Sequence, residues 1–108
     1  MSFEILFFNE KVQAQIECWP TGIAASFLRV TEQMEISGPN LGMPYTKAFG
    51  EGLFEIRAKG PEGIGRAFFC YLLHKKIVIL HGFIKKSQAT PIKELAIARR
   101  RLKEIRDE

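Results

Sequence analysis

The chain has little cysteine: only Cys18 and Cys70 among 108 residues. The pair lacks metal-type spacing and lies among apolar neighbours, so two reduced, buried thiols are expected and no disulfide framework. Histidine is equally scarce, with His74 and His81 alone. No cluster of His, Cys and Asp has metal-ligand spacing, and neither a metal nor another cofactor is expected. Long apolar runs are missing too: nothing approaches the ~18 consecutive apolar residues of a membrane span. The opening MSFEILFFNEK has no basic leader, long apolar stretch or small-residue cleavage site, unlike a signal peptide. The expectation is a cytoplasmic protein with no membrane role. No Gly-rich phosphate loop of the Walker or dinucleotide type occurs; Gly60, Gly63 and Gly65 read as hairpin chemistry. A GxSxG nucleophile motif and an activated Cys–His pair are also absent.

What is present is apolar bulk and positive charge. Hydrophobic residues make up 46% of the chain and include nine Phe, enough for the core of one domain over residues 1–108. Residues 1–56 carry three basic side chains (Lys11, Arg29, Lys47) and seven acidic ones, a net of −4. Residues 57–108 carry thirteen basic and five acidic ones, a net of +8. A basic half points to a polyanion as ligand, or to an acidic protein that masks it.

The periodicities give seven elements. The run FEILFF at 3–8 reads as a strand. Asn9 is placed to N-cap a helix from Glu10, with Val12, Ile16 and Trp19 on its inner face. After Pro20 and Gly22 a second helix runs to about Ile36, with Ile23, Phe27, Val30 and Met34 inward and Ala24, Leu28 and Thr31 alongside. Gly38 and Pro39 end it, and residues 38–52 read as a loop. Residues 53–59 alternate: Phe54, Ile56 and Ala58 on one face, Glu55, Arg57 and Lys59 on the other. A turn at 60–63 leads to a strand over 65–73, and a turn at 74–76 leads to an apolar strand over 77–83. Thr90 is placed as N-cap of a last helix with Pro91 at its first position and Ile92, Leu95, Ala98, Leu102 and Ile105 inward. The fold class is therefore α+β, in the order β-α-α-β-β-β-α. It is an antiparallel sheet with a helical hairpin on one face and a C-terminal helix; the face carrying Arg57 and Lys59 is expected to stay partly open.

The chemistry left to such a chain is that of Arg and Lys. These groups hold a phosphate, stabilise charge developing on it and protonate a leaving oxygen. RNA cleavage needs no external nucleophile, because the neighbouring 2′-hydroxyl attacks phosphorus; positioning and electrostatics are then most of the catalysis. Arg57 is the first candidate, against the alternative of a surface arginine paired with Glu55 or Glu4. Arg66 opens the next strand, and the hairpin brings it across from Arg57. Lys85 and Lys86 end the last strand, as phosphate contacts or as edge-protecting lysines. His81 reads either as an acid–base group or as a satisfied core histidine. Lys59, Lys93, Arg100 and Arg101 are candidate RNA contacts, with a solvated helix face as the alternative for the last three.

The stretch GLFEIRAKGPEGIGRAFFCYLLHKKIVILHGFIKKSQATP, residues 52–91, resembles the HigB-like, phage-derived branch of the RelE/ParE toxins. The matching parts are Gly-Leu-aromatic-Glu-hydrophobic-Arg at 52–57, the Gly/Arg turn at 65–69, Leu-His-Gly-Phe-hydrophobic-Lys-Lys at 80–86, and Thr-Pro with a basic helix at 90–106. The combination is specific; no single part is. The resemblance implies a RelE-like toxin of a type II toxin–antitoxin pair, an endoribonuclease acting on messenger RNA at the ribosome. It also implies a small cognate antitoxin, often a helix-turn-helix protein, in a hetero-oligomer. It assigns Arg57 and Arg66 to phosphate and transition-state contact, Lys59 as their neighbour, and Lys85 and Lys86 to the basic end of the strand. Relatives carry a Tyr, His or Arg after that strand, where this chain has Ser87, Gln88 and Thr90. His81 and the lysines are then the nearby acid–base candidates. A gyrase-inhibiting toxin of the ParE type and a non-catalytic nucleic-acid-binding module share the same fold and stay open.

Overall fold

The computed structural model of the chain describes residues 2–85 and 91–107. Eight elements follow in order: β1 (Glu4–Phe7), α1 (Glu10–Glu17), α2 (Thr21–Ser37), β2 (Thr46–Gly50), β3 (Leu53–Gly60), β4 (Gly63–Leu72), β5 (Lys76–Lys85) and α3 (Ile92–Arg106). The five strands form one sheet in the order β1-β5-β4-β3-β2. The class is α+β, with the helical hairpin and the C-terminal helix expected of a RelE-like fold.

The sheet departs from the sequence reading in two ways. Residues 46–50, inside the expected loop, form the short edge strand β2, antiparallel to β3. Thr46 is its only buried residue, so it shows no apolar pattern. The sheet is also mixed: β1 lies parallel to β5, Glu4 against Lys76 through Phe7 against Ile79. The remaining neighbours are antiparallel.

One sheet face takes the helical hairpin. Asn9 caps α1 as expected, its side-chain oxygen accepting from the Val12 N–H at 2.9 Å. Val12, Ile16, Ile23, Phe27, Val30 and Met34 pack on Ile56, Ala58, Ala67, Phe69, Ile77 and Ile79. Leu28 turns outward and is 58% exposed. Trp19 stands just after α1, edge-to-face with Phe27 at 5.6 Å. The sheet makes room for it with glycine. A Cβ at Gly65 would lie 2.6 Å from the Trp19 ring, and one at Gly82 would lie 2.8 Å from Ile16. The turn between β3 and β4 is tied to the hairpin as well: the Gly22 N–H in the first turn of α2 donates to the Glu62 carboxylate at 2.9 Å. That ion–dipole contact holds the Glu62 carboxyl below the usual carboxylate range.

The second face divides into two halves. α3 covers one, packing Leu95, Ala98, Leu102 and Ile105 on Leu53, Phe68, Cys70, Val78 and Leu80. Ile92, expected in this inner stripe, is 84% exposed. The helix starts after Pro91, which serves as its N-cap residue instead of its first position. Thr90, expected as the cap, lies outside the described residues. Cys70 is buried here, and burial pushes its thiol up to about 11. Cys18, expected inside, is exposed at the end of α1, where the helix terminates and its apolar face stops. Among the described residues no helix is long and apolar enough to cross a membrane.

Candidate nucleic-acid interface

The half of the second face that α3 does not cover is built from the β3–β4 hairpin. Gly60 pairs with Gly63, so only Pro61 and Glu62 form the turn, and the register then puts Arg57 directly opposite Arg66. Period-two alternation sets both on the same face. Neighbouring rows complete the patch. Lys47 of β2 stands opposite Glu55 of β3, and Lys85 of β5 opposite Ile64 of β4. Lys59 follows Arg57 on its strand and is exposed. The sheet thus gathers Lys47, Arg57, Lys59, Arg66 and Lys85 on one surface.

The electrostatics of this patch centre on Glu55. Sequence alternation gave it no more than the role of a surface counter-ion, yet it is fully buried. Its carboxylate lies 3.3 Å from Arg66 Nη1. Burial pushes the Glu55 carboxyl up, while Arg66, then Arg57, Lys47 and Lys85, pull it back down. Desolvation outweighs the four cations, so burial favours the protonated carboxyl more than this site's positive field favours the carboxylate. Four cations around one carboxylate leave a net positive surface for an anion. The same crowding acts on Lys85: desolvation, then the Arg66 and Arg57 charges, lower its ammonium below its ordinary value. A lysine so placed is a better proton donor than one in open water.

Arg66 departs from expectation in one respect. It lies on the sheet face expected to stay partly open, yet it is only 6% exposed. It sits diagonally across from Glu55, which it balances, and Phe83 of β5 is its register partner. Arg57, half-buried, is the guanidinium that reaches solvent. The two arginines are together, and their surroundings divide the work: one holds the floor, the other faces out.

The remaining candidates sort by position. His81 is buried under α3, its Nε2 2.7 Å from the Glu94 carboxylate. It gets there through a β-bulge: Phe68 pairs with His81 and Phe69 with Ile79, leaving Leu80 as the extra residue. Leu80 and His81 therefore both face α3, and His81 serves to fasten that helix. Arg101 is likewise turned to the sheet. Its Nη1 donates to the Leu80 carbonyl at 2.8 Å and its guanidinium lies over the Phe8 ring at 5.0 Å. Desolvation, and then Arg100, lower its pKa. Lys93 and Arg100 are exposed on α3. Lys86 lies outside the described residues. Among the described residues no three His, Cys, Asp or Glu side chains cluster in a way that would hold a metal ion. Two residues that matter here had no sequence signal of their own: Glu55, because an alternating charged strand reads as solvated, and Lys47, because its strand was unreadable.

No curated protein matches the chain. Residues 14–103, which include the second half of α1, all of α2, the basic patch and most of α3, match a family described as phage-derived protein Gp49-like (DUF891). That family is associated with toxin-like proteins of the RelE type. The chain accordingly belongs to the phage-derived Gp49-like family.

Proposed function

We propose that the protein is the toxin of a type II toxin–antitoxin pair, an endoribonuclease that cleaves messenger RNA on the ribosome in the cytoplasm without a metal. The observation that carries this reading is Arg57 directly opposite Arg66, with Lys85 and Lys47 beside them on a half-face that α3 leaves uncovered. An RNA phosphate seated at Arg57 meets a planar fork that holds two oxygens. The neighbouring 2′-oxygen attacks phosphorus, the bond to the 5′-oxygen breaks, and the products are a cyclic phosphate and a 5′-hydroxyl. Charge building on the phosphorane oxygens is met by Arg57 and the positive field of Arg66. Lys85 gives the proton to the departing 5′-oxygen, and the 2′-hydroxyl proton passes to water. Lys59, Lys93 and Arg100 extend the phosphate track. A small helix-turn-helix antitoxin with an acidic segment masks the patch in a hetero-oligomer.

A second reading, a nucleic-acid-binding module without turnover, is favoured by two observations: His81 is held by Glu94, and Glu55 is sealed beneath the patch. A translation extract separates the two. The full chain, with chelator present, is incubated with a reporter messenger RNA, and cleavage is mapped with and without ribosomes. Cleavage in the presence of ribosomes that Arg57→Ala reduces by orders of magnitude supports the nuclease. Intact RNA together with tight binding supports the module.

A further inference from the structure

A cavity of about 840 Å³ opens where β3 runs past the end of β2. That volume lies within the roughly 300–1,000 Å³ of small-ligand clefts. β2 begins at Thr46, opposite Ile56, and the Arg57 N–H donates to the Tyr45 carbonyl at 2.8 Å. Beyond that bond no described strand lies along this edge of β3, opposite the one paired with β4. α2 forms one wall of the space and the segment leading into β2 forms another.

The walls differ in chemistry. Val30, Leu41 and Ile64 supply an apolar floor. Arg29, Arg57 and Lys59 bring three cations to it, and no carboxylate is among its described lining residues. Tyr45, a residue 52% exposed, adds an aromatic ring. Its position is fixed by a closed turn: the Tyr45 and Thr46 N–H groups both donate to the Gly42 carbonyl at 3.0 Å, and the Gly42 N–H donates to Thr46 Oγ1 at 2.8 Å. Gln33 contributes an amide, which reads either donors or acceptors.

We infer that this cavity takes a base of single-stranded RNA, the one adjoining the phosphate held at Arg57. The inference rests on the reading of the basic patch as a phosphate site and extends it by a second subsite. A bare anion has no use for an apolar floor, and an apolar ligand has no use for three cations. A chain of flat rings joined by phosphates satisfies both. Single-stranded RNA is read by splaying its bases onto aromatic side chains, and Tyr45 is held ready for that contact. Arg57 joins the two subsites: it lines the cavity and stands opposite Arg66 on the patch. Arg29 and Lys59, at the same cavity, suit the phosphate on the far side of the base.

The test compares two uncleavable strands: a hexanucleotide with 2′-deoxy sugars, and the same strand with every base removed. Binding of each to the full chain is followed by fluorescence anisotropy. Stacking on one aromatic ring predicts that the strand with bases binds about tenfold more tightly. Tyr45→Ala removes that preference and leaves the affinity for the abasic strand unchanged, which also reports that the variant is folded. Tyr45→Phe keeps the preference. Equal affinity of the wild-type chain for the two strands overturns the base site while the phosphate reading stands. A Tyr45→Ala variant with undiminished preference overturns it too. Failure of both strands to bind overturns the phosphate reading and the base site together.

Discussion

The Glu55 carboxylate, sealed from solvent, lies 3.3 Å from the Arg66 guanidinium and beneath the row in which Arg57 faces out. Two buried charges so placed depend on each other. Removing Arg66 takes away the foremost of the cations acting on Glu55, so Arg66→Ala is expected to destabilise the protein by about 3–5 kcal/mol. The double change Glu55→Leu, Arg66→Met recovers most of that loss, because apolar side chains of similar volume escape the desolvation of both ions. Denaturant melts of the three proteins check this. A double variant no more stable than Arg66→Ala would contradict it.

Arg57 is the residue with which to probe activity, since Arg66 variants confound folding with function. Arg57→Ala is expected to change stability by about 1 kcal/mol or less. It should cut RNA cleavage by orders of magnitude and lower the log–log salt slope of RNA binding by about one. Arg57→Lys restores little, as a point charge does not reproduce the fork. An alanine variant that still arrests growth at equal expression would remove Arg57 from the mechanism.

The contact from Glu62 to the first turn of α2 gives a pH dependence with a definite sign. Its folded-state pKa is lowered, chiefly by the Gly22 N–H. The stability it contributes is therefore present above the ordinary carboxylate pKa and lost as pH falls through the lowered value. Wild type should exceed Glu62→Gln in stability at neutral pH, and the gap should close in acid. Paired thermal melts across that range test it; a gap that widens in acid would reverse the assignment.

Trp19 and Phe27 lock the hairpin onto the sheet. Either one changed to Ala is expected to cost about 3–5 kcal/mol. Gly65→Ala should also destabilise, since its methyl would meet the Trp19 ring at 2.6 Å. Combining Gly65→Ala with Trp19→Phe relieves part of the clash, so the two changes should not add. Strictly additive melts would contradict direct contact.

The parts legible in the sequence were those carried by local pattern. Asn9 before Glu10, the 3–4 spacing in α2, the strand over 53–59 with Arg57 and Lys59 on one face and the turn at 60–63 all produced what they indicated. The arginine pair followed from the same alternation plus one turn. What stayed hidden depends on distant partners. TKAFG becomes β2 only because β3 offers its edge. The extra Leu80 breaks period two with no sequence mark and turns His81 to α3. Glu55 and Arg66 read as surface charges because alternation carries no mark of the contact they make with each other across the hairpin. Arg101 reads as a phosphate contact until Leu80 and Phe8 are placed beside it.

The parallel seating of β1 on β5 bears on how the chain comes off the ribosome. Residues 4–7 are made early but find their neighbours only at residues 76–79. Until then Ile5, Leu6 and Phe7 have no sheet to join, and such non-local pairing is slow to form. Lys85 closes the same strand, so the cationic patch is assembled at the same late moment. A chain interrupted before that strand carries Arg57 without the framework that aims it. The patch therefore comes together only after every residue from Glu4 to Lys85 has been made, a delay written into strand order.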